Sequence, residues 1–376
     1  MSSVQEVKAQ PEPFTINVSD QDLEDLRQRL RSARWPGDLG NDTWHYGASE
    51  SYLRELTSAW IDFDWRAVEA QMNELDHFQV ELGGQPIHYV RANAGAGMPI
   101  LLLGGWPCTF WDFAEVLPRL SGFEVIIAEL PGYGFSSPLR VPKLGFVESA
   151  DLMHELMTGV LGHDRYGVHG FDWGGFTAAQ MAHKHAASIT GFHTSMPMPL
   201  DFAPVPPDLW SPAESGYAER TAQFWQHGAA YFNEQATKPQ TVAFIGDSPV
   251  ATAAWLVEKF HGWTDHGGNV EDAYPRDRIL ATLSIYWFTR TVGSSARFYA
   301  ESLQNPWTPS HGGTPTITVP TGVAAFPKEA AHVPEAWVQQ YFNLKRYTRM
   351  DRGGHFPAVE NPDGLADELI AFFAGV

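Results

Sequence analysis

Eight residues, Val168-His169-Gly170-Phe171-Asp172-Trp173-Gly174-Gly175, restrict the architecture of this 376-residue chain more than any other segment. An apolar run ends in glycine, an aspartate follows two positions later, glycine returns two positions after that, and Phe176 to Ala187 then has the composition of a helix. A strand that turns directly into a helix brings its flanking backbones together, so only small neighbours fit. The same turn lifts its central side chain above a sheet, the geometry of a nucleophile elbow. Here the lifted group is the carboxylate of Asp172. A carboxylate can attack an sp³ carbon and form an ester, whereas ester and peptide hydrolysis call for a serine or cysteine at this point. The alternative, that Asp172 only caps the helix that follows, loses ground to the residues considered next.

The rest of the chain supplies the sheet that such a turn requires. Phe78–Leu82 and Ile87–Val90 alternate around Gly83-Gly84, the pattern of an antiparallel hairpin. Ile100–Leu103, Val125–Ala128 and Tyr166–His169 are short apolar runs at helix-length intervals, as buried parallel strands with crossover helices would be. The rhythm stops between Met196 and Asn305, where Tyr217–Phe232 and Leu280–Tyr299 carry helical spacing. It resumes with strands over Thr316–Phe326 and Arg346–Asp351 and a last helix over Gly364–Phe373. Ahead of the sheet, Ser19 caps a helix marked by Leu23, Leu26 and Leu30, and Ser49–Trp60 and Trp65–Leu75 read as two more. The expected division is a helical N-terminal extension over 1–76, the first half of an α/β core over 77–196, a helical cap over 197–305 and the second half of the core over 306–376.

An ester on Asp172 needs a base to activate water. His355 stands in the glycine-rich loop Arg352-Gly353-Gly354-His355-Phe356, directly after the last expected strand, and histidine suits that task near neutral pH. An acid that orients the imidazole belongs between nucleophile and histidine in chain order. Glu329, just past Thr316–Phe326, fits; Asp351 competes, although its closeness to His355 suits a strand end better. Gly104-Gly105-Trp106-Pro107 follows another strand, and the Trp106 N–H with the Trp173 N–H would form an oxyanion hole. His183 and His185, two apart on a helix, cannot share a face for a metal.

Charge and cysteine content exclude other functions. A net charge of −19, with no basic cluster, argues against docking on nucleic acid or an anionic membrane and favours a small neutral substrate. Cys108 is the only cysteine, so neither an internal disulfide nor a thiolate metal cage can form within the chain. The polar start from Met1 to Glu12 and the lack of a roughly 20-residue apolar run lead to the expectation of a cytoplasmic protein with no membrane span. Monomer and homodimer stay equally open.

The aspartate elbow, the Trp-Pro loop and the late acid and histidine resemble the epoxide hydrolases of the microsomal and juvenile-hormone type, which have the α/β-hydrolase fold. The likeness continues through Pro13–Pro36, Phe63-Asp64-Trp65-Arg66, Ala236-Thr237-Lys238-Pro239, Asp247-Ser248-Pro249 and Glu258-Lys259-Phe260, so it spans nearly the whole chain. It implies that Tyr231 and Tyr299 hydrogen-bond the epoxide oxygen, and Ala325-Phe326-Pro327-Lys328-Glu329 matches its acid segment. It also implies a cis Trp106-Pro107 bond, no cofactor and no metal, and a role in detoxification or secondary metabolism. Gly104 and Cys108 stand where the family has histidine and glycine. A haloalkane dehalogenase would use the same triad, and a non-catalytic binding protein could share the fold.

Overall fold

The computed structural model describes residues 10–376, so most of the polar segment Met1–Glu12 lies outside the described residues. Among the described residues nine strands form one sheet: β1 Glu12–Pro13, β2 His77–Leu82, β3 Gln85–Ala92, β4 Pro99–Leu103, β5 Glu124–Ala128, β6 Tyr166–Gly170, β7 Ile189–Thr194, β8 Ile317–Ala325 and β9 Phe342–Arg349. Their spatial order is β1-β2-β3-β5-β4-β6-β7-β8-β9, antiparallel from β1 to β5 and parallel from β5 onward. Ile100 to Leu103 and Val125 to Ile127 are almost entirely inaccessible to solvent. This is why they read as unbroken apolar runs: parallel strands are covered on both faces.

Two strands escape that reading. β7 carries His193 and Thr194 at full burial, and His193 Nδ1 meets His169 Nδ1 of β6 at 3.0 Å. One ring nitrogen of each histidine is thus paired across the sheet, which no local pattern announces, while both Nε2 atoms are buried without a protein partner. β9 is a half-buried edge strand that begins at Phe342, four residues ahead of the expected Arg346.

The extension forms α1 Asp20–Arg31, α2 Glu50–Ile61 and α3 Trp65–Met72. Ser19 Oγ caps α1 by accepting the Asp22 N–H at 3.1 Å. A 12-residue helix is marginal alone, and burial of Leu23, Leu26 and Leu30, roughly 1.5–3 kcal/mol each, holds it in place. The extension is braced within itself, Val18 N–H donating to Glu69 Oε1 of α3 at 2.7 Å, and tied to the inserted helices by Trp60 Nε1, which donates to Ser284 Oγ at 2.8 Å.

Two core helices, α4 Phe146–Glu155 and α5 Asp172–Lys184, flank the sheet. Between β7 and β8 the chain inserts α6 Ser215–Gln223, α7 Ala230–Thr237, α8 Pro239–Ala243, α9 Pro249–Trp263, α10 Arg276–Thr289 and α11 Val292–Gln304. Both long helical segments expected here are interrupted: Tyr217–Phe232 by a wide π-type turn at Phe224–Gly228, and Leu280–Tyr299 by Arg290 in the left-handed region at φ 57°. The core closes with α12 Glu335–Tyr341, α13 Pro357–Glu360 and α14 Pro362–Phe373. The fold is therefore the α/β-hydrolase fold with a helical extension and an inserted helical cap.

Candidate active site

β6 ends at Gly170, Phe171 is extended, and Asp172 opens α5 at φ 53°. A non-glycine residue in the left-handed region is strained by about 1–2 kcal/mol, and the packing around it enforces the conformation. A β-carbon on Gly174 would press into the carbonyls of Leu103 and Gly104, and one on Gly170 into the Gly174 carbonyl. The flanking glycines thus let β4, β6 and α5 approach closely enough to hold the aspartate up.

The elbow meets two groups from distant parts of the chain. His355 Nε2 lies 3.4 Å from Asp172 Oδ2, and His355 Nδ1 is 2.7 Å from Glu329 Oε1. Glu329 follows β8, His355 sits in the loop after β9, and all three side chains are buried. Asp351, the competing acid, is exposed. Trp106 N–H, in the loop after β4, donates to Asp172 Oδ1 at 2.7 Å, and the Trp106-Pro107 bond that follows is cis. A β-carbon on Gly105 would meet both Asp172 Oδ1 and the Trp173 nitrogen, so these two N–H groups border the same small space. Gly104 and Cys108 are coupled: a β-carbon at 104 would lie 3.3 Å from the Cys108 β-carbon, so the side-chain volume has moved from one end of the loop to the other. Burial pushes the Cys108 thiol well above its ordinary range, and it stays protonated.

The charges are strongly coupled. Burial disfavours an imidazolium at His355, yet the carboxylates of Glu329 and Asp172 on either side outweigh it and raise the pKa to about 10. Burial likewise opposes ionisation of Glu329, and the charge on His355 prevails and holds it below its ordinary value. The resting site is an imidazolium between two carboxylates.

Tyr231 of α7 and Tyr299 of α11 project from the cap toward Asp172. Tyr231 stacks on Trp106 at 5.2 Å between centroids, and Tyr299 lies edge-on to Trp173 at 4.8 Å. Burial, with the Asp172 charge adding to it, pushes both phenols well above their ordinary range, so both are donors at neutral pH. Tyr299 Oη and His355 Nε2 are buried and make no hydrogen bond within the protein. All these groups face a cavity of about 570 Å³, within the range of small-molecule sites. Its walls are largely aromatic and sulfur-bearing, including Phe176, Met196, Phe202, Phe224 and Phe232.

Sequence reasoning missed two residues here. Trp263, the last residue of α9, accepts the His355 backbone N–H on its carbonyl at 2.9 Å and sets its ring 4.9 Å from the imidazole. His332 lines the cavity, stacked on Tyr217 at 4.1 Å, with burial holding its pKa below the ordinary value. Neither carries a local motif. The glycines of Gly132-Tyr133-Gly134 form a core loop with positive φ in which Gly134 makes room for the buried carboxylate of Glu129 and Gly132 for Ser294.

Comparison with known proteins agrees with this geometry. Residues 11–113 match the family described as epoxide hydrolase N terminus, and residues 98–268 match the alpha/beta hydrolase fold. A relative from Stigmatella aurantiaca is 36% identical over 95% of this chain and 83% of its own length. Epoxide hydrolase 1 of Sus scrofa is 32% identical over 96% of this chain and 88% of its own. The structure of Aspergillus niger epoxide hydrolase superposes with a TM-score of 0.86 at 28% identity, covering 97% of this chain and 96% of that one. On sequence, fold and triad together, this chain belongs to the epoxide hydrolase family, related to its microsomal and juvenile-hormone members.

Proposed function

We propose that this protein opens an apolar epoxide with water to give a vicinal diol, by way of an ester on Asp172. One observation carries the reading: two buried phenol donors face a carboxylate nucleophile that is already paired with a histidine and acid. Tyr231 and Tyr299 hold the epoxide oxygen while Asp172 Oδ2 attacks a ring carbon. The ring C–O bond breaks, its electron pair goes to oxygen, and a tyrosine proton follows. Esterification cancels the Asp172 charge, so the His355 imidazolium loses one of the two partners that sustain it. Its proton passes through solvent to the tyrosinate, and a neutral base is left beside the ester.

His355 then takes a proton from water, and the hydroxide adds to the ester carbon. Asp172 Oδ1 becomes the oxyanion and keeps the Trp106 N–H it already accepts, with Trp173 N–H as the second donor. Collapse releases the diol oxygen, which takes the remaining carboxyl proton. Asp172 is again a carboxylate and His355 an imidazolium, so the cycle closes on water alone.

Family membership and the assembled triad set aside the haloalkane dehalogenase and non-catalytic readings. A cytoplasmic setting and division of the chain near residues 76, 196 and 305 belong to the same proposal; the ends of β7 at Thr194 and α11 at Gln304 support the cap limits. Single turnover of styrene oxide in ¹⁸O-water, with mass analysis of diol and of the Asp172 peptide, tests the mechanism. The first diol should carry unlabelled enzyme oxygen and leave label in Asp172; label appearing directly in the first diol would refute the ester.

A further inference from the structure

Lys259 is a buried amine that the cycle above leaves unused, and burial lowers its pKa to about 7, so ammonium and free amine are both populated near neutral pH. It lies on α9 within the Glu258-Lys259-Phe260 segment, is about as buried as the catalytic side chains, and contacts the carboxylate of its partly exposed neighbour Glu258. Its ammonium sits 4.7 Å from the centroid of the Tyr231 ring and 5.3 Å from that of Trp255. Withdrawing an ammonium from water is costly unless its surroundings return the loss. What this one faces is the ring of a tyrosine that, on the reading above, must transiently carry negative charge.

We propose that Lys259 is a positioning residue for epoxide opening, its ammonium stabilising the charge that Tyr231 acquires as its proton passes to the opening alkoxide. In the resting enzyme the protonated form of Lys259 meets the ring's quadrupole, 4.7 Å from its centroid. As the ring C–O bond breaks and the Tyr231 Oη proton moves to the epoxide oxygen, phenolate charge spreads into the ring and the attraction becomes one between opposite charges. An interaction stronger in the transition state than in the ground state raises the rate of that step. It also counters the burial that, together with whatever charge Asp172 still carries as it attacks, resists a tyrosinate here. Among the described residues no cation faces the ring of Tyr299, whose recorded neighbours are aromatic rings such as Trp106, Trp173 and Phe232. The two tyrosines are thereby distinguished: Tyr231 gives up the proton, and Tyr299 holds the oxygen by a hydrogen bond.

The inference rests on the role given to Tyr231, and the experiment separates the two. Rapid-quench alkylation by styrene oxide is measured under single turnover for wild type, K259M, K259R, Y231F and Y231F/K259M. K259M should slow alkylation about tenfold, the scale of a desolvated cation–π contact. K259R should recover most of the rate, ester hydrolysis should be unchanged, and K259M should add nothing in the Y231F background; K259Q replaces K259M where the latter does not fold. Wild-type alkylation in K259M beside a slow Y231F would overturn the role of Lys259 alone. Equal slowing by K259M in both backgrounds, or a K259R as slow as K259M, would reduce Lys259 to a packing residue and overturn it too. An unslowed Y231F would overturn the role of Tyr231 and that of Lys259 with it.

Discussion

Replacing Asp172 by asparagine removes one of the two charges that sustain the His355 imidazolium while leaving the site nearly the same shape. At an effective dielectric of about 20, a unit charge at the 3.4 Å separating Asp172 Oδ2 from His355 Nε2 is worth roughly 5 kcal/mol. The buried carboxylate borders the cavity and keeps about 10% of its side-chain surface accessible, so about half of that is the working figure. At about 1.4 kcal/mol per unit this is close to two pKa units. His355 should therefore titrate near pH 10 in the wild type and roughly two units lower in D172N, with Glu329 still in place. Observation of the ¹³C-labelled imidazole Cε1 by NMR between pH 6 and 11 reads this directly, and H355Q identifies the signal among the 15 histidines. Intact mass confirms that the asparagine has not deamidated. If the pKa in D172N lay within half a unit of wild type, Asp172 would not be what keeps His355 charged. The proposed conversion of His355 from imidazolium to base on esterification would then have no physical cause.

E329Q should alkylate at close to the wild-type rate and hydrolyse its ester about 10²–10⁴-fold more slowly, so that enzyme plus one substrate mass accumulates in intact-protein mass spectra; equal slowing of both steps would refute the assignment. Stability should track the same titration. The folded pKa of His355, raised to about 10, lies above the unfolded value near 6.5, so its contribution is complete below pH 6.5 and disappears as pH rises through 10. The melting temperature of wild type minus that of H355Q should shrink between pH 7 and 10, and a constant difference would contradict the coupling. G174A drives a methyl group into the carbonyls of Leu103 and Gly104 and should cost at least about 2 kcal/mol in denaturant unfolding; a neutral result would mean that the elbow has more room than its geometry shows.

Legibility in the sequence followed the range of the forces involved. The elbow was readable because part of its constraint is local: Gly170 is needed by the backbone of Gly174 and Gly175 in the same turn, whereas Gly174 makes room for the carbonyls of Leu103 and Gly104 at the end of a distant strand. β4 to β6 were readable because burial on both faces leaves an apolar run. β7 was not, since Gly191, His193 and Thr194 are polar or small, and the partner that His193 Nδ1 finds is His169 on the next strand. Arg290 concealed the break between α10 and α11: an arginine in the left-handed region has no compositional signature, and here it ends α10 by donating its backbone N–H back to the carbonyls of the last turn. Glu329 could be weighed above Asp351 because Asp351 stands so close in sequence to His355 and because the acid segment of the family that the chain resembles falls on Glu329, but only the 2.7 Å contact with His355 and the exposure of Asp351 separate them physically. Trp263 and His332 enter the site through tertiary contacts, which leave no trace in their own neighbourhoods.

The carbonyl of Trp263 has a consequence for how such enzymes can be recombined. It belongs to a cap helix, yet it holds the backbone of the base, while its indole ring lies 5.1 Å from Tyr231 and 6.1 Å from Trp106. Cap and core therefore share a hinge pin rather than a seam. A chimera that takes its lid from one relative and its core from another would separate the end of α9 from the histidine loop evolved to meet it, and would misplace the base even with every triad residue present. The workable crossover carries residues through Trp263 and the loop around His355 from the same parent.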